Sequence, residues 1–294
     1  MAQVQPARDR IRELRQKKRA SLNRRAVIVF FLVCVIVTSI IFITRSSYLQ
    51  IEQIVIRGNN IVREEEVKSS INDILKKNYL YIIPRTNLFL YPKNEIEFLI
   101  KKQFPRFETV HISRVNFSTV VLDVRERQSL YTWCDGLPLI TAPNEPACYY
   151  VDENGFIFSH APYFTGGVYF KFFGSYGWEE NQAPIGARIL DEDTFKKIIR
   201  FKEGLESEGL VLYGFTTYPT GVYSFLLSPV SDDTKQKIVF TVENDIDAVY
   251  ANLVSALNAP PLKTDLVKKF DTFQYIDLRY DNKVYYRFQS EDIK

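Results

Sequence analysis

Nineteen consecutive uncharged residues, Ala26 to Thr44, follow directly on a stretch crowded with arginine and lysine. As a helix, such a run rises about 28 Å at about 1.5 Å per residue, close to the roughly 30 Å hydrocarbon core of a bilayer. Fourteen of the nineteen are Val, Ile, Leu or Phe, each worth roughly −0.3 to −0.6 kcal/mol for insertion. Their sum of about −4 to −8 kcal/mol outweighs the cost of Thr38, Ser39 and Thr44. A buried core helix would show a polar stripe every three or four residues, whereas this segment is apolar all round. The pattern predicts a single transmembrane helix over residues 26–44.

Charge sets the expected orientation. Residues 1–25 carry nine basic side chains (Arg8, Arg10, Arg12, Arg15, Lys17, Lys18, Arg19, Arg24 and Arg25) against Asp9 and Glu13, a balance of +7 in a chain whose net charge is +3. The positive-inside rule keeps this tail in the cytoplasm and places the bulk of the chain outside it. A cleaved signal peptide needs a shorter apolar run and small residues before the cleavage site, which Phe42-Ile43-Thr44-Arg45 does not offer, so an uncleaved anchor in the cytoplasmic membrane is expected. A basic tail can also be a nucleic-acid arm. Beside an apolar span it reads instead as an orientation signal touching anionic membrane lipid, and no nucleic-acid partner is expected.

Cysteine usage fits this placement. Cys34 lies within the span, while Cys134 and Cys148 lie in the exported part with thirteen residues between them. An oxidising compartment permits a disulfide between these two. The alternatives are a zinc site, which needs more ligands than the pair and His160 supply, and a catalytic thiol, which needs a nearby base.

Beyond the span, hydrophobic period divides the chain. Ile51 to Arg57 reads as a strand ended by Gly58-Asn59-Asn60. A helix from about Glu64 presents Val67, Ile71, Ile74 and Leu75 on one face, with Glu64, Glu65 and Glu66 at the positive end of its dipole. A second helix, starting after Pro92 and stopped by Pro105, carries Ile96, Leu99, Ile100 and Phe104. Phe107–Arg114 and Thr119–Glu126 alternate as strands, giving the order β-α-α-β-β over residues 45–127. Residues 128–289 read as a β-rich domain with two helices, one capped by Asp191 and closed at Gly209, the other running from about Asp245 to Asn258 before Pro260-Pro261. Strands are expected at Ser129–Trp133, Cys148–Val151, Phe156–Ser159, Val168–Phe173, Val222–Leu227, Gln236–Val242, Tyr275–Tyr280 and Val284–Phe288. Asp281-Asn282 turns between the last two, and residues 290–294 form a tail. The fold class is α+β.

Three stretches in this order carry a resemblance: Ile54-Val55-Ile56-Arg57-Gly58-Asn59 just after the span, Asn87-Leu88-Phe89 between the helices, and Val120-Val121-Leu122-Asp123-Val124-Arg125-Glu126-Arg127 at the end. The set resembles a POTRA domain, and its place beside one membrane span is similar to the FtsQ/DivIB family of bacterial cell-division proteins. Val151-Asp152-Glu153-Asn154-Gly155-Phe156-Ile157-Phe158 is similar to that family's hairpin after the POTRA domain, and Tyr275-Ile276-Asp277-Leu278-Arg279-Tyr280 to its C-terminal Asp-Leu-Arg-Tyr strand. The likeness runs over roughly residues 26–289. The loop from Cys134 to Cys148, with Pro138, Pro143 and Pro146, departs from the better-known members.

The resemblance implies a non-catalytic, single-pass scaffold at the division septum that serves septal peptidoglycan synthesis. Its implied partners are divisome proteins of the FtsB/DivIC and FtsL type, gathered by strand addition to the terminal hairpin. The residues implied to meet them are Tyr280, Val284, Tyr285, Tyr286, Arg287 and Phe288. No cofactor, metal or small-molecule substrate is expected. The residues themselves offer little chemistry: His111 and His160 are the only histidines, and no phosphate loop, nucleophile elbow or zinc motif occurs. Asp191/Asp193 and Asp232/Asp233 are explained by a helix cap and a solvated turn. Asn116-Phe117-Ser118 fits a glycosylation sequon and also makes an ordinary turn. Two other classes remain open on the sequence, a POTRA-containing protein-translocation factor and a membrane-anchored hydrolase of the cell envelope.

Overall fold

A computed structural model of the chain describes residues 5–79, 83–136, 146–164, 167–174, 184–217, 220–228, 236–280 and 282–289. It is mixed α+β, with an N-terminal apolar helix and a large β-rich sheet. The first helix, α1, spans Gln5–Thr44 as one element of 40 residues. It is longer than the predicted span because the basic stretch is itself built of good helix formers, with Pro6 in the first turn, where its missing N–H costs nothing. Within α1, Asn23–Thr44 is long and apolar enough to cross a membrane.

The described chain separates into two compact units, Met1–Gln103 with Thr109–Arg125, and Phe104–Glu108 with Glu126–Lys294. In the first, β1 (Gln53–Arg57) is followed by α2 (Glu64–Leu75), the short strands β2 (Asn78–Tyr79) and β3 (Ile83–Pro84), α3 (Lys93–Gln103), β4 (Phe107–Arg114) and β5 (Thr119–Glu126). The sheet order is β1-β5-β4, with β1 parallel to β5 and Ile56 opposite Leu122. Val67, Ile71, Ile74 and Leu75 of α2 and Ile96 and Ile100 of α3 are buried. So are Val120, Leu122 and Val124 of β5. Val121 is buried as well, although period alone assigns it to the opposite face with Asp123 and Arg125. β5 is the central strand, and both of its faces are partly covered. Gly58 ends β1 at a φ of +87°, and a Cβ there would lie 2.0 Å from the Val124 carbonyl oxygen, so only glycine fits.

The sequence divides the two parts after Arg127, whereas residues 104–108, 126 and 127 belong to the second unit. The Arg127 N–H donates to the Arg106 carbonyl (2.8 Å), its Nε to the Pro105 carbonyl (3.1 Å), and Arg106 Nη2 to Ser159 Oγ (3.0 Å). Arg127 Nη1 also bonds Asp152 Oδ2, with the guanidinium 4.1 Å from the Phe156 ring centre. Asp152 Oδ1 accepts the N–H groups of Asn154 and Phe156, both at 2.9 Å, closing the turn at Gly155. Two of the stretches that carried the family likeness therefore meet in one buried ion pair.

The second unit is a sheet of nine strands: β6 (Tyr131–Asp135), β7 (Cys148–Val151), β8 (Ile157–Ala161), β9 (Phe170–Gly174), β10 (Gly214–Thr217), β11 (Val222–Leu226), β12 (Lys237–Thr241), β13 (Phe273–Asp277) and β14 (Tyr285–Phe288). Their spatial order is β14-β13-β12-β11-β10-β9-β6-β7-β8. Register lines up Trp133, Phe172, Phe215, Phe225, Ile238, Ile276 and Tyr286 from strand to strand. This apolar row joins one core with the helices α4 (Glu192–Ser207), α5 (Ile246–Leu257) and α6 (Leu262–Lys269). Asp191 caps α4 through the Thr194 N–H at 3.0 Å, and Asp245 caps α5 through the Asp247 N–H at 3.2 Å.

Cys134 and Cys148 stand directly opposite each other in β6 and β7 and form a disulfide. Residues 137–145 of the loop they bracket, with Pro138 and Pro143, lie outside the described residues, as do Asp281 of the last turn and residues 290–294. Two elements go beyond the sequence reading of this part. β10 is a Gly-Phe-Thr-Thr stretch too short to show a period, and α6 begins at Leu262, directly after Pro260-Pro261, with Pro261 as its N-cap.

Candidate partner-binding edge

β14 forms one border of the nine-stranded sheet, bonded to β13 alone. The register sets Tyr285 opposite Asp277, Tyr286 opposite Ile276, and Arg287 opposite Tyr275, with a bulge on β13 between Phe273 and Tyr275. Successive backbone groups on a strand face opposite borders, so two anchoring bonds assign them all. The Gln289 N–H donates to the Thr272 carbonyl at 2.7 Å, which turns Arg287 and Tyr285 toward β13 as well. The Leu278 N–H donates to the Val239 carbonyl at 2.8 Å, turning the N–H groups of Asp277 and Tyr275 away from β12 and toward β14. Both assignments agree. The backbone N–H and C=O groups of Tyr286 and Phe288 therefore point off the sheet.

Side chains follow the other alternation. Val284, Tyr286 and Phe288 are half-buried and pack against the core, Phe288 meeting Phe273 edge-on at 5.7 Å. Tyr285, 49% exposed, and Arg287 face away from that core. Tyr280 does not lie in the strand predicted over Tyr275–Tyr280, because β13 ends at Asp277. There Arg279 folds back, its Nε and Nη2 donating to the Asp277 carboxylate at 2.9 and 2.6 Å and its N–H donating at 3.1 Å. Tyr280 is 56% exposed and meets the Tyr285 ring edge-on at 5.4 Å. Of the six residues singled out from sequence, Tyr280, Tyr285 and Arg287 thus offer side chains, and Tyr286 and Phe288 offer backbone. Val284 supplies packing.

Electrostatics reinforce the corner. Burial pushes the Asp277 carboxyl up, but the Arg279 hydrogen bonds and charge, with Lys237, overcome it and hold the group below the ordinary carboxylate value. The Arg279 guanidinium is held charged in return. A cavity of about 450 Å³ opens beside the hairpin, between Asp245, Ala248 and Asn252 on one side and Leu278, Asn282 and Lys283 on the other. Sequence reasoning gave no sign of it, since its walls come from segments distant along the chain.

Chemistry elsewhere is sparse. Among the described residues, no group of three or more His, Cys, Asp or Glu is placed to hold a metal ion. His111 lies 3.2 Å from a Glu97 oxygen, and the His160 ring lies against Tyr149 at 4.8 Å. Burial pushes the Lys171 ammonium down, yet the rings of Tyr163 and Tyr213 stand 5.7 and 5.3 Å from it and favour a cation there. A scan against protein-family models and a search of curated proteins find no match to this chain.

Proposed function

We propose that this chain is a single-pass, non-catalytic scaffold of the bacterial division machinery that recruits a partner by strand addition at β14. The N-terminal tail is cytoplasmic, Asn23–Thr44 crosses the cytoplasmic membrane, and the chain from Arg45 onward lies outside it. The Cys134–Cys148 disulfide favours that placement, because such bonds persist in oxidising compartments. The first unit, with its helices between β1 and the β4/β5 pair, is read as a POTRA domain and the second as the partner-binding domain.

One observation carries the reading: β14 leaves the N–H and C=O groups of Tyr286 and Phe288 turned off the sheet border, flanked by the exposed rings of Tyr280 and Tyr285. Two outward residues bond an incoming strand through four backbone groups, while Tyr280, Tyr285 and Arg287 select its side chains. The partner is a protein of the FtsB/DivIC type, carried together with an FtsL-type protein, and the process served is septal peptidoglycan synthesis. The test is a tagged chain in growing cells, with the exported part used as bait. Midcell accumulation and capture of an FtsB-type partner are expected. A uniform envelope signal with no such capture would turn the reading toward translocation or envelope hydrolysis.

A further inference from the structure

We propose that the first unit docks on the phospholipid surface through an apolar rim around the exit of α1, formed by Tyr48, Phe89, Leu90, Val115 and Phe117. The proposal rests on the reading of α1 as a membrane span. That span, Asn23–Thr44, comprises 22 residues and rises about 33 Å, so its last turn reaches the interfacial layer, roughly 5–8 Å deep on each side of the hydrocarbon core.

The end of α1 is fastened to the unit rather than hanging from it. The Thr44 carbonyl, one of the unpaired carbonyls of a helix terminus, accepts the Asn87 Nδ2 at 2.9 Å and the Gln50 Nε2 at 3.0 Å. Asn87 is itself 1% exposed, and its Oδ1 accepts the Phe89 N–H at 3.0 Å. The Leu88 N–H donates to the Leu49 carbonyl, and the Ile51 N–H to the Thr86 carbonyl, both at 2.8 Å. Phe89 follows Asn87 by two residues, so its Cα stays within about 7 Å of that of Asn87, close to the end of the span.

The turn between β4 and β5 reaches the same end. Asn116 Oδ1 accepts the N–H groups of Ser118 (2.9 Å) and Thr119 (2.7 Å), leaving Phe117 at the tip. The Ser118 carbonyl accepts the Glu52 and Gln53 N–H groups at 2.8 and 3.1 Å. The Arg114 guanidinium lies 4.7 Å from the Phe89 ring centre, which ties the turn's root to the loop at Asn87.

Exposure singles this end out. Outside α1, the large apolar side chains exposed among the described residues of the first unit are Tyr48, Ile61, Phe89, Leu90, Phe98, Val115 and Phe117. Five of the seven ring the helix exit. Single exposed apolar residues are ordinary on a protein surface, but a cluster at the point where the chain meets the bilayer matches the interfacial layer, where aromatic rings settle and arginine reaches phosphate. Arg114 supplies that cation.

The test uses the full chain in vesicles of mixed phosphatidylcholine and phosphatidylglycerol, with Cys34→Ser and one new cysteine, Phe89→Cys or Phe117→Cys, carrying an environment-sensitive dye. Ile61→Cys is the control: it is 66% exposed against 57% and 71% for Phe89 and Phe117, and follows the far end of β1, which rises about 13 Å from Gln53 to Arg57. Lipids spin-labelled near the headgroup should quench the dye at 89 and 117 severalfold more than at 61. Equal, weak quenching at all three sites overturns the docking. A dye on native Cys34 reports the span separately: if it too escapes deep quenchers, the membrane reading of α1 fails, and otherwise only the docking does.

Discussion

Proline at successive positions of β14 separates fold from recognition. In Tyr285→Pro the lost N–H is one that faces β13, opposite Asp277. Its removal forfeits a ladder bond worth about 0.5–1.5 kcal/mol and leaves a carbonyl short of a partner, for a cost of about 1–3 kcal/mol. In Tyr286→Pro the lost N–H points off the sheet, where proline is tolerated on an edge. The Tyr286 ring is half-buried against the core, however, so its loss must be measured separately by Tyr286→Ala. The two Tyr286 variants should melt within about 0.5 kcal/mol of each other, as expected where no ladder bond is touched. They should differ in partner affinity by at least about tenfold, or roughly 1.4 kcal/mol, because only proline removes the donor an added strand needs. Thermal melts with titration of an FtsB-type partner read both quantities. Equal binding by Tyr286→Pro and Tyr286→Ala, or loss of binding confined to Tyr285→Pro at full stability, would refute the assigned register.

Four further outcomes are expected. Intact mass after alkylation without reductant should show Cys134 and Cys148 unmodified, and replacing both with serine should cost about 3 kcal/mol in denaturant melts, the value for a closed loop of about fifteen residues. Arg127→Met should cost about 3–5 kcal/mol by leaving the buried Asp152 carboxylate without its cation, well above Arg106→Met, whose bond is to the neutral Ser159 hydroxyl. Because Asp277 is held below its ordinary value, its pairing stabilises the fold fully above about pH 3.9, and the contribution is lost as pH falls through the lower folded value. Asp277→Asn should therefore remove part of the acid sensitivity seen in melts between about pH 5 and 2. Gly58→Ala should destabilise the first unit by about 1–3 kcal/mol, read by thermal melting, since its φ is +87° and the Val124 carbonyl blocks a Cβ.

Much of the architecture was legible because it is periodic. The apolar faces of α2, α4 and α5 follow from spacing and the Asp191 cap from residue type, while Asp245 marks the start of a helix in sequence and is shown as its cap only by the structure. β10 is illegible because four residues hold no period, and α6 because a proline pair marks the end of one helix as readily as the start of the next. At the edge, the resemblance pointed to the terminal hairpin, but the sequence could not distinguish Tyr285 from Tyr286. That distinction depends on a bulge in β13 and two bonds made by Gln289 and Leu278. The Arg127–Asp152 pair and the cavity near Leu278 were illegible for the same reason: each joins segments that only the fold brings together.

Strand addition at β14 is tested most directly by crosslinking in living cells with a photoreactive amino acid at Arg287, an exposed edge position that makes no core contact. The expected result is a covalent adduct with an FtsB/DivIC-type protein, formed at midcell and lost in Tyr286→Pro but retained in Tyr286→Ala. The contradicting result is no adduct at position 287 while the same probe at His160, on the opposite border strand β8, captures that partner.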